Sequence, residues 1–215
     1  FETTDSIQHM FWRYLDRDHP ALRAAPAGMS EAVFEDLYVR MDDLIARVRA
    51  KMSGKGALFV MSDHGFRPFK RGVNLNSWLR ENGYLRLKNG ASGEAEWFKD
   101  VDWTRTRAYA LGLGGVYLNL KGREAQGIVA PGKDAAALRA ELIEKLTGLV
   151  DPGEKAEAIG RVYDGPAIYT GPYKDNAPDL IVGYNPGWRA SHASGSRLPS
   201  LRLPAAMTFS LNQSK

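Results

Sequence analysis

Residues 30–61 constrain the fold more than any other part of the chain. Ser30 is placed to cap a long amphipathic helix that we predict to run to Met52. Its apolar positions step by three and four, at Phe34, Leu37, Met41, Leu44, Ile45, Val48 and Met52. A Gly-Lys-Gly turn follows, and residues 57–61 then form a continuous apolar run that is typical of a strand buried on both faces. Helix, glycine turn and buried strand in succession predict an α/β fold with a parallel sheet.

The rest of the chain also mixes predicted helices and strands. The helices are predicted over 5–15, from Asn76 as cap to Gly83, and over 134–150, and the strands over 106–120 as a hairpin or bulged strand, 167–169 and 180–182. From Ala190 onward no helical or strand period remains. The pattern therefore predicts regular structure up to about residue 189 and an atypical tail after it.

The composition limits which residues could bind a metal ion and which kinds of partner are expected. The chain has no cysteine, so any metal ligands must be His, Asp or Glu. Four of its 29 basic residues lie from Arg189 onward, where no acidic residue occurs, so residues 1–188 carry 25 basic and 25 acidic residues. A nucleic-acid partner is therefore not expected, although the formal net charge is +4. No apolar run is long enough to predict a membrane-spanning segment.

Asp5 and His9 form the first candidate metal-binding pair. They are four residues apart in a predicted helix, so both side chains lie on one face and could bind one ion. Ile7, Met10 and Phe11 belong to the opposite, apolar face. The structural alternative is a solvated helix N-terminus in which Asp5 is a favourable acid of the first turn.

Asp63 and His64 form the second candidate pair. They directly follow the predicted buried strand, and in α/β sheets ligands bind beyond the carboxyl ends of the strands. Gly65 would let the chain turn so that the two side chains converge. A mixed carboxylate and imidazole set suits zinc or manganese. The structural alternative is a polar turn in which Asp63 bonds to nearby backbone amides.

Five segments together resemble the type I phosphodiesterase/nucleotide pyrophosphatase family of the alkaline phosphatase superfamily. They are TDSIQHMFW at 4–12, FVMSDHGF at 59–66, VNLNSWL at 73–79, GGVYLN at 114–119 and APDLIVGY at 177–184. The resemblance covers residues 1 to about 189. It implies that 1–189 is the C-terminal portion of an alkaline-phosphatase-like catalytic domain, with a mostly parallel sheet flanked by helices. Residues 190–215 are expected to be non-native or disordered.

The resemblance also implies a centre of two divalent ions, Zn²⁺ with Mn²⁺ as the alternative. Asp5 and His9 match the ligands of one ion, which a later histidine completes. Asp63 and His64 match those of the other ion, which an aspartate and a Thr or Ser nucleophile complete, and both are expected upstream of Phe1. The late histidine would stand in a Gly-Asp-His segment that this sequence lacks. His192 is the candidate substitute, although it comes early and lacks the motif.

Several polar residues could line a phosphate pocket. Asn74, Tyr109 and Arg189 are the predicted substrate-binding residues, and arginine is the best anion partner among them. Asn76, Tyr117 and Tyr184 are weaker candidates. Their structural alternative is that they are helix caps and half-buried aromatic residues.

The sequence therefore predicts a metal-dependent hydrolase of phosphate esters, acting on a small phosphate ester or nucleotide. The chain alone is expected to be inactive, because its nucleophile is expected upstream. A phosphomutase or sulfatase of the same superfamily would use similar ligands. From a different class, the chain could be a non-catalytic metal-binding or interaction remnant of the same fold. The compartment and the oligomeric state have no sequence signal.

Overall fold

The fold was analysed in a computed structural model, which describes residues 2–19, 22, 32–52, 54, 56–93, 96–191 and 209–211. The chain divides after Pro68 into two compact units. Unit 1 is described over 2–19, 22, 32–52, 54 and 56–68, and unit 2 over 69–93, 96–191 and 209–211. Helices and strands are mixed, as expected of an α/β chain. Within these ranges, no helix combines the length and apolar content needed to cross a bilayer.

Unit 1 contains two α-helices, α1 (Glu2–Phe11) and α2 (Ala32–Lys51), with a 3-10 turn at Trp12–Leu15. The predicted long helix is confirmed. Its apolar stripe is only partly covered, because Phe34 and Leu37 are buried while Val48 is exposed. The Trp12 ring packs edge-on against Phe34 at 5.7 Å, which holds the end of the α1 segment on α2.

The prediction of a buried strand at 57–61 is wrong. The described backbone there belongs to no strand, and Phe59 and Met61 are 81% and 86% exposed. The apolar run is real, but a strand also needs at least one neighbouring strand to pair its N–H and C=O groups. No described strand pairs with this segment. Local pattern alone therefore did not determine its burial.

Unit 2 begins with β1 (Phe69–Val73) and α3 (Leu75–Glu81). The Asn74 side chain caps α3 by accepting a hydrogen bond from the Ser77 amide at 3.1 Å, so the prediction of Asn76 as cap is wrong. Asn76 is instead buried inside the helix. Its side-chain amide donates to the Ala110 carbonyl at 2.9 Å and accepts from the Ala110 amide at 2.7 Å, which joins α3 to the sheet.

The main sheet of unit 2 is antiparallel and has the strand order β2-β3-β7-β6. Its elements and the helices beside it are β2 (Ala108–Leu111), β3 (Gly115–Leu118), α4 (Lys133–Leu146), the two-stranded pair β4 (Val150–Asp151) and β5 (Ala156–Glu157), β6 (Ile159–Asp164), α5 (Gly165–Ile168) and β7 (Leu180–Tyr184). The predicted hairpin is confirmed as β2 and β3, joined by residues 112–114 with Gly112 at φ +74°. The late strand predicted at 180–182 is confirmed as β7.

The expected mostly parallel sheet is not what the described strands form. Only β1 pairs in parallel, with β8 (Gly187–Ala190), while β9 (Phe209–Leu211) pairs antiparallel on the other edge of β1. The hairpin turn at 112–114 is too short for the crossover that parallel neighbours need, so β2 and β3 must be antiparallel. The predicted domain boundary at 189/190 falls at the end of β8 and stays a prediction.

A second strand prediction, at 167–169, is also wrong. Residues up to Ile168 form the short helix α5, with Pro166 in its first turn. Proline fits there because its ring presets φ and its missing N–H would have no helical partner. The helix prediction over 134–150 is confirmed up to Leu146 by α4, whose Leu138, Leu142 and Leu146 are buried in the core of unit 2. The predicted end is wrong, because Val150 already belongs to β4.

Candidate functional site

Helix α1 places Asp5 and His9 side by side. They lie one turn apart on the same face, and His9 Nε2 is 3.2 Å from Asp5 Oδ1. The Gln8 side chain, by contrast, is buried and accepts a hydrogen bond from the Tyr38 hydroxyl at 2.9 Å. Because Gln8 ties α1 to α2, the face that carries Asp5 and His9 is left open to solvent.

The segment that follows α2 adds His64 to this pair. His64 Nε2 lies 3.6 Å from the same Asp5 oxygen. One ligand atom from each of Asp5, His9 and His64 lies within 4.8 Å of the other two. We call these three residues the Asp-His-His cluster. It joins a helix to a loop that is distant in sequence, within one compact unit.

The His64 ring is oriented by its own backbone. Its Nδ1 lies 3.0 Å from the Gly65 carbonyl oxygen, which can only accept a hydrogen bond. Nδ1 is therefore the donor in this contact, and Nε2 is the ring nitrogen that lies on the side of Asp5. An imidazole whose second nitrogen donates to a carbonyl is the usual arrangement of a metal-binding histidine.

Phe66 packs against both imidazoles and was missed by sequence reasoning. Its ring centroid is 4.8 Å from that of His9 and 5.1 Å from that of His64, both in edge-to-face geometry. The Trp12 ring also packs against the Phe66 ring, and their centroids are 5.5 Å apart. The only signal in the sequence was an aromatic residue two positions after His64, which does not reveal its partners.

The Asp-His-His cluster fits a divalent ion. It offers one carboxylate and two imidazole nitrogens, a donor set that zinc accepts and that leaves coordination positions open. The three side chains are between 46% and 57% exposed, so a ligand can reach them from solvent. The cluster fits a divalent ion because of the types of its donor atoms and the distances between them.

Asp63 stands apart from the cluster. Its Oδ2 is 3.9 Å from His64 Nε2, but its side chain is 89% exposed and it does not belong to the group of three. The structure thus brings His64 close to both Asp5 and His9, the predicted ligands of the other ion. His192, the candidate late ligand, lies outside the described residues.

The predicted substrate-binding residues all lie in unit 2, where each has a structural contact. Asn74 caps α3. Tyr109 stacks on Tyr117 at 5.5 Å, and burial together with the nearby Glu124 carboxylate raises the pKa of Tyr109 to about 12. Arg189 lies over the Phe69 ring at 4.2 Å, and burial lowers its pKa. These contacts are the ones that the structural alternative predicts, and substrate binding by these residues stays a prediction.

Comparison with protein families gives one match. The model of the family described as type I phosphodiesterase / nucleotide pyrophosphatase matches residues 1–205, which covers both candidate metal pairs and almost all of the described chain. No curated protein and no solved structure matches this chain.

Proposed function

Since this chain belongs to the type I phosphodiesterase/nucleotide pyrophosphatase family, within the alkaline phosphatase superfamily, we propose that it takes part in the metal-dependent hydrolysis of phosphate esters. The family indicates a phosphodiesterase-type hydrolase with small-molecule substrates. The proposal adds a centre of two divalent ions, Zn²⁺ or alternatively Mn²⁺, bound by residues of unit 1.

The observation that carries the proposal is the convergence of Asp5, His9 and His64. Three metal-binding side chains from two separate segments meet within 4.8 Å. A solvated helix N-terminus would account for Asp5 and His9, but it gives no reason for His64 to join them. A polar turn would account for Asp63, but not for the distance of 3.6 Å between His64 and Asp5.

The three residues of the cluster and the adjacent Phe66 each have a defined task in this proposal. Asp5 contributes the negative charge, at 3.2 and 3.6 Å from the Nε2 atoms of His9 and His64. His9 and His64 bind the ion through Nε2, and His64 donates through Nδ1 to the Gly65 carbonyl. Phe66 restricts the rotation of both rings and so lowers the conformational entropy lost on binding.

Asp63 is proposed as the carboxylate of the second ion. Its side chain is exposed and lies 3.9 Å from His64 Nε2, so it stands beside the cluster and can turn toward a second ion without leaving a buried position. Bound divalent ions would polarise the phosphoryl group and stabilise the charge that develops during an in-line displacement. The nucleophile is proposed to be a Thr or Ser upstream of Phe1.

The test uses a polypeptide that includes the proposed upstream nucleophile. It is assayed on bis(p-nitrophenyl) phosphate with added Zn²⁺. Asp5→Ala and His64→Ala are each expected to lower kcat/KM by about a hundredfold or more, because loss of even an outer-shell partner costs roughly 10–100-fold. Asp42→Ala, an exposed acid on α2, is the matched control and should leave kcat/KM unchanged.

Two other outcomes would redirect the assignment. Metal binding without turnover on any ester would favour a non-catalytic metal-binding remnant of the fold. Preference for a sulfate ester or a phosphomutase substrate would place the chain with those members of the superfamily. Unchanged turnover in both cluster variants would refute the role of the cluster.

A further inference from the structure

Unit 2 contains a pocket that is lined by none of the residues proposed for the metal centre. It has a volume of about 610 Å³ and lies between the turn after β3, the start of α4, α5 and the 3-10 turn at Lys174–Asn176. Pockets that hold small organic ligands have volumes of roughly 300–1,000 Å³. None of the residues that line the pocket belongs to the Asp-His-His cluster.

Charged side chains of both signs line the pocket, and the two lysines among them carry the positive charge that no ion pair among the described residues takes up. Lys121, Arg123, Arg139 and Lys174 line it, against the two acidic residues Asp175 and Asp179. Within the described ranges, no ion pair joins either lysine to a carboxylate. Both lysines are exposed, so their ammonium groups can turn toward a ligand in the pocket.

Each of the two arginines donates hydrogen bonds to at least one carboxylate. Arg139 Nε donates to Asp164 Oδ1 at 2.6 Å. Arg123 Nη2 donates to Asp179 Oδ2 at 2.6 Å, and its Nε donates to Glu124 at 2.8 Å. These ion pairs fix both guanidinium planes before any ligand arrives, which reduces the entropy that binding must overcome.

The same arginines keep other N–H groups available. A guanidinium has five N–H donors. Among the described residues, no hydrogen bond takes Nη1 of Arg123 or either Nη atom of Arg139. The side chains of Arg123 and Arg139 are only 25% and 17% exposed. Even so, these nitrogens are not among the described atoms that are buried without a hydrogen-bond partner. These donors are therefore not fully buried, and both arginines line the pocket.

The remaining wall is suited to an organic group. Pro131, Pro166 and Pro178 line the pocket together with the ring of Tyr169, which is partly exposed. Gly165 keeps this wall close-packed, because a Cβ there would overlap the Pro178 carbonyl oxygen. A flat or aliphatic ligand group could pack on these rings while its charged end meets the cations.

From this arrangement we propose that the pocket binds a small organic phosphate, with Lys121, Lys174 and Arg139 on the phosphate and Tyr169 and the prolines on the organic group. A phosphate dianion matches the two ammonium groups better than a neutral ligand would, and planar guanidinium donors suit phosphate oxygens. Asp175 would repel the anion, so the phosphate lies on the side of the lysines and Arg139. Binding at this site needs no metal ion.

The test is calorimetric titration of the chain in excess EDTA, which separates this site from the metal centre. The probes are AMP, glucose 6-phosphate and 3-phosphoglycerate, with adenosine, glucose and glycerate as the matched ligands without phosphate. At least one organic phosphate is expected to bind, and its unphosphorylated counterpart is expected to bind at least about tenfold more weakly. Inorganic phosphate should compete.

Variants locate the binding. Lys121→Gln with Lys174→Gln should weaken binding by about tenfold, while Lys51→Gln with Lys99→Gln removes the same charge from exposed positions outside the pocket and should not. Arg139→Lys keeps the charge but loses the planar donors, and should also weaken binding. Circular dichroism verifies that each variant is folded. Absence of binding by all three phosphates, or equal binding by the pocket and control variants, would overturn the proposal.

Discussion

The substitution Arg71→Met tests the ion pair between Arg71 and the buried Asp151 in unit 2. The Asp151 carboxylate is fully buried, and Arg71 on β1 holds it with both Nε and Nη2, the second at 3.0 Å from Oδ1. Trp188 Nε1 and the Gly153 amide add hydrogen bonds at 3.0 and 2.9 Å. Methionine fills similar space but leaves the buried charge without its counter-ion, which typically costs about 3–5 kcal/mol.

The effect should also depend on pH. Burial raises the pKa of Asp151, but the hydrogen bonds from Arg71, Trp188 and Gly153 outweigh burial and lower it below its usual value. A lowered pKa in the folded state stabilises the fold above the unfolded value of about 3.9, and this stabilisation is lost as pH falls through the folded pKa. Without Arg71, burial raises the pKa of Asp151 in the variant, so the penalty of Arg71→Met should be full at neutral pH and shrink as falling pH protonates this carboxyl.

Equilibrium urea unfolding, followed by far-ultraviolet circular dichroism at pH 7 and at pH 3–4, measures both effects. Arg105→Met is the matched control, because Arg105 is 58% exposed and its Nη1 lies as far as 4.0 Å from Asp102 Oδ2. An exposed ion pair of this kind stabilises the fold by no more than about 1 kcal/mol. A loss below about 1 kcal/mol for Arg71→Met at pH 7, or a loss that does not change with pH, would refute this reasoning.

Two further substitutions test the core and the metal cluster. Leu142→Ala removes a fully buried side chain of α4 and should lower the free energy of unfolding by about 2–5 kcal/mol in the same urea titration, and a loss under about 1 kcal/mol would contradict the packing described. Phe66→Ala should weaken Zn²⁺ binding by about tenfold in calorimetric titration, because both imidazoles lose their packing partner. Phe59→Ala, at an exposed position of the same segment, is the control, and equal affinities would refute the positioning role of Phe66.

The features that the sequence predicted correctly depend on local spacing. The leucines of α4 recur at helical period, so their shared face could be read directly. The hairpin of β2 and β3 is specified by glycines placed between β-forming residues. Asp5 and His9 are neighbours because a helix brings positions four apart together.

The features that the sequence missed depend on contacts between distant segments. An apolar run such as 57–61 shows what could be buried, but not whether neighbouring strands cover it. The short apolar run at 167–169 is compatible with a strand or a helix. In the structure its first residues belong to helix α5, and Pro166 lies in the first turn of that helix. The approach of His64 to Asp5 was implied only by the family resemblance, and the position of Phe66 beside both imidazoles had no sequence signal at all.

Calorimetric titration of the metal-free chain with Zn²⁺ tests whether the Asp-His-His cluster binds a metal ion. We expect stoichiometric binding that His9→Ala and His64→Ala each weaken by about a hundredfold or more, while Asp42→Ala has no effect. Failure of the chain to bind Zn²⁺ and Mn²⁺, or the same affinity in all three variants, would contradict a metal centre formed by Asp5, His9 and His64.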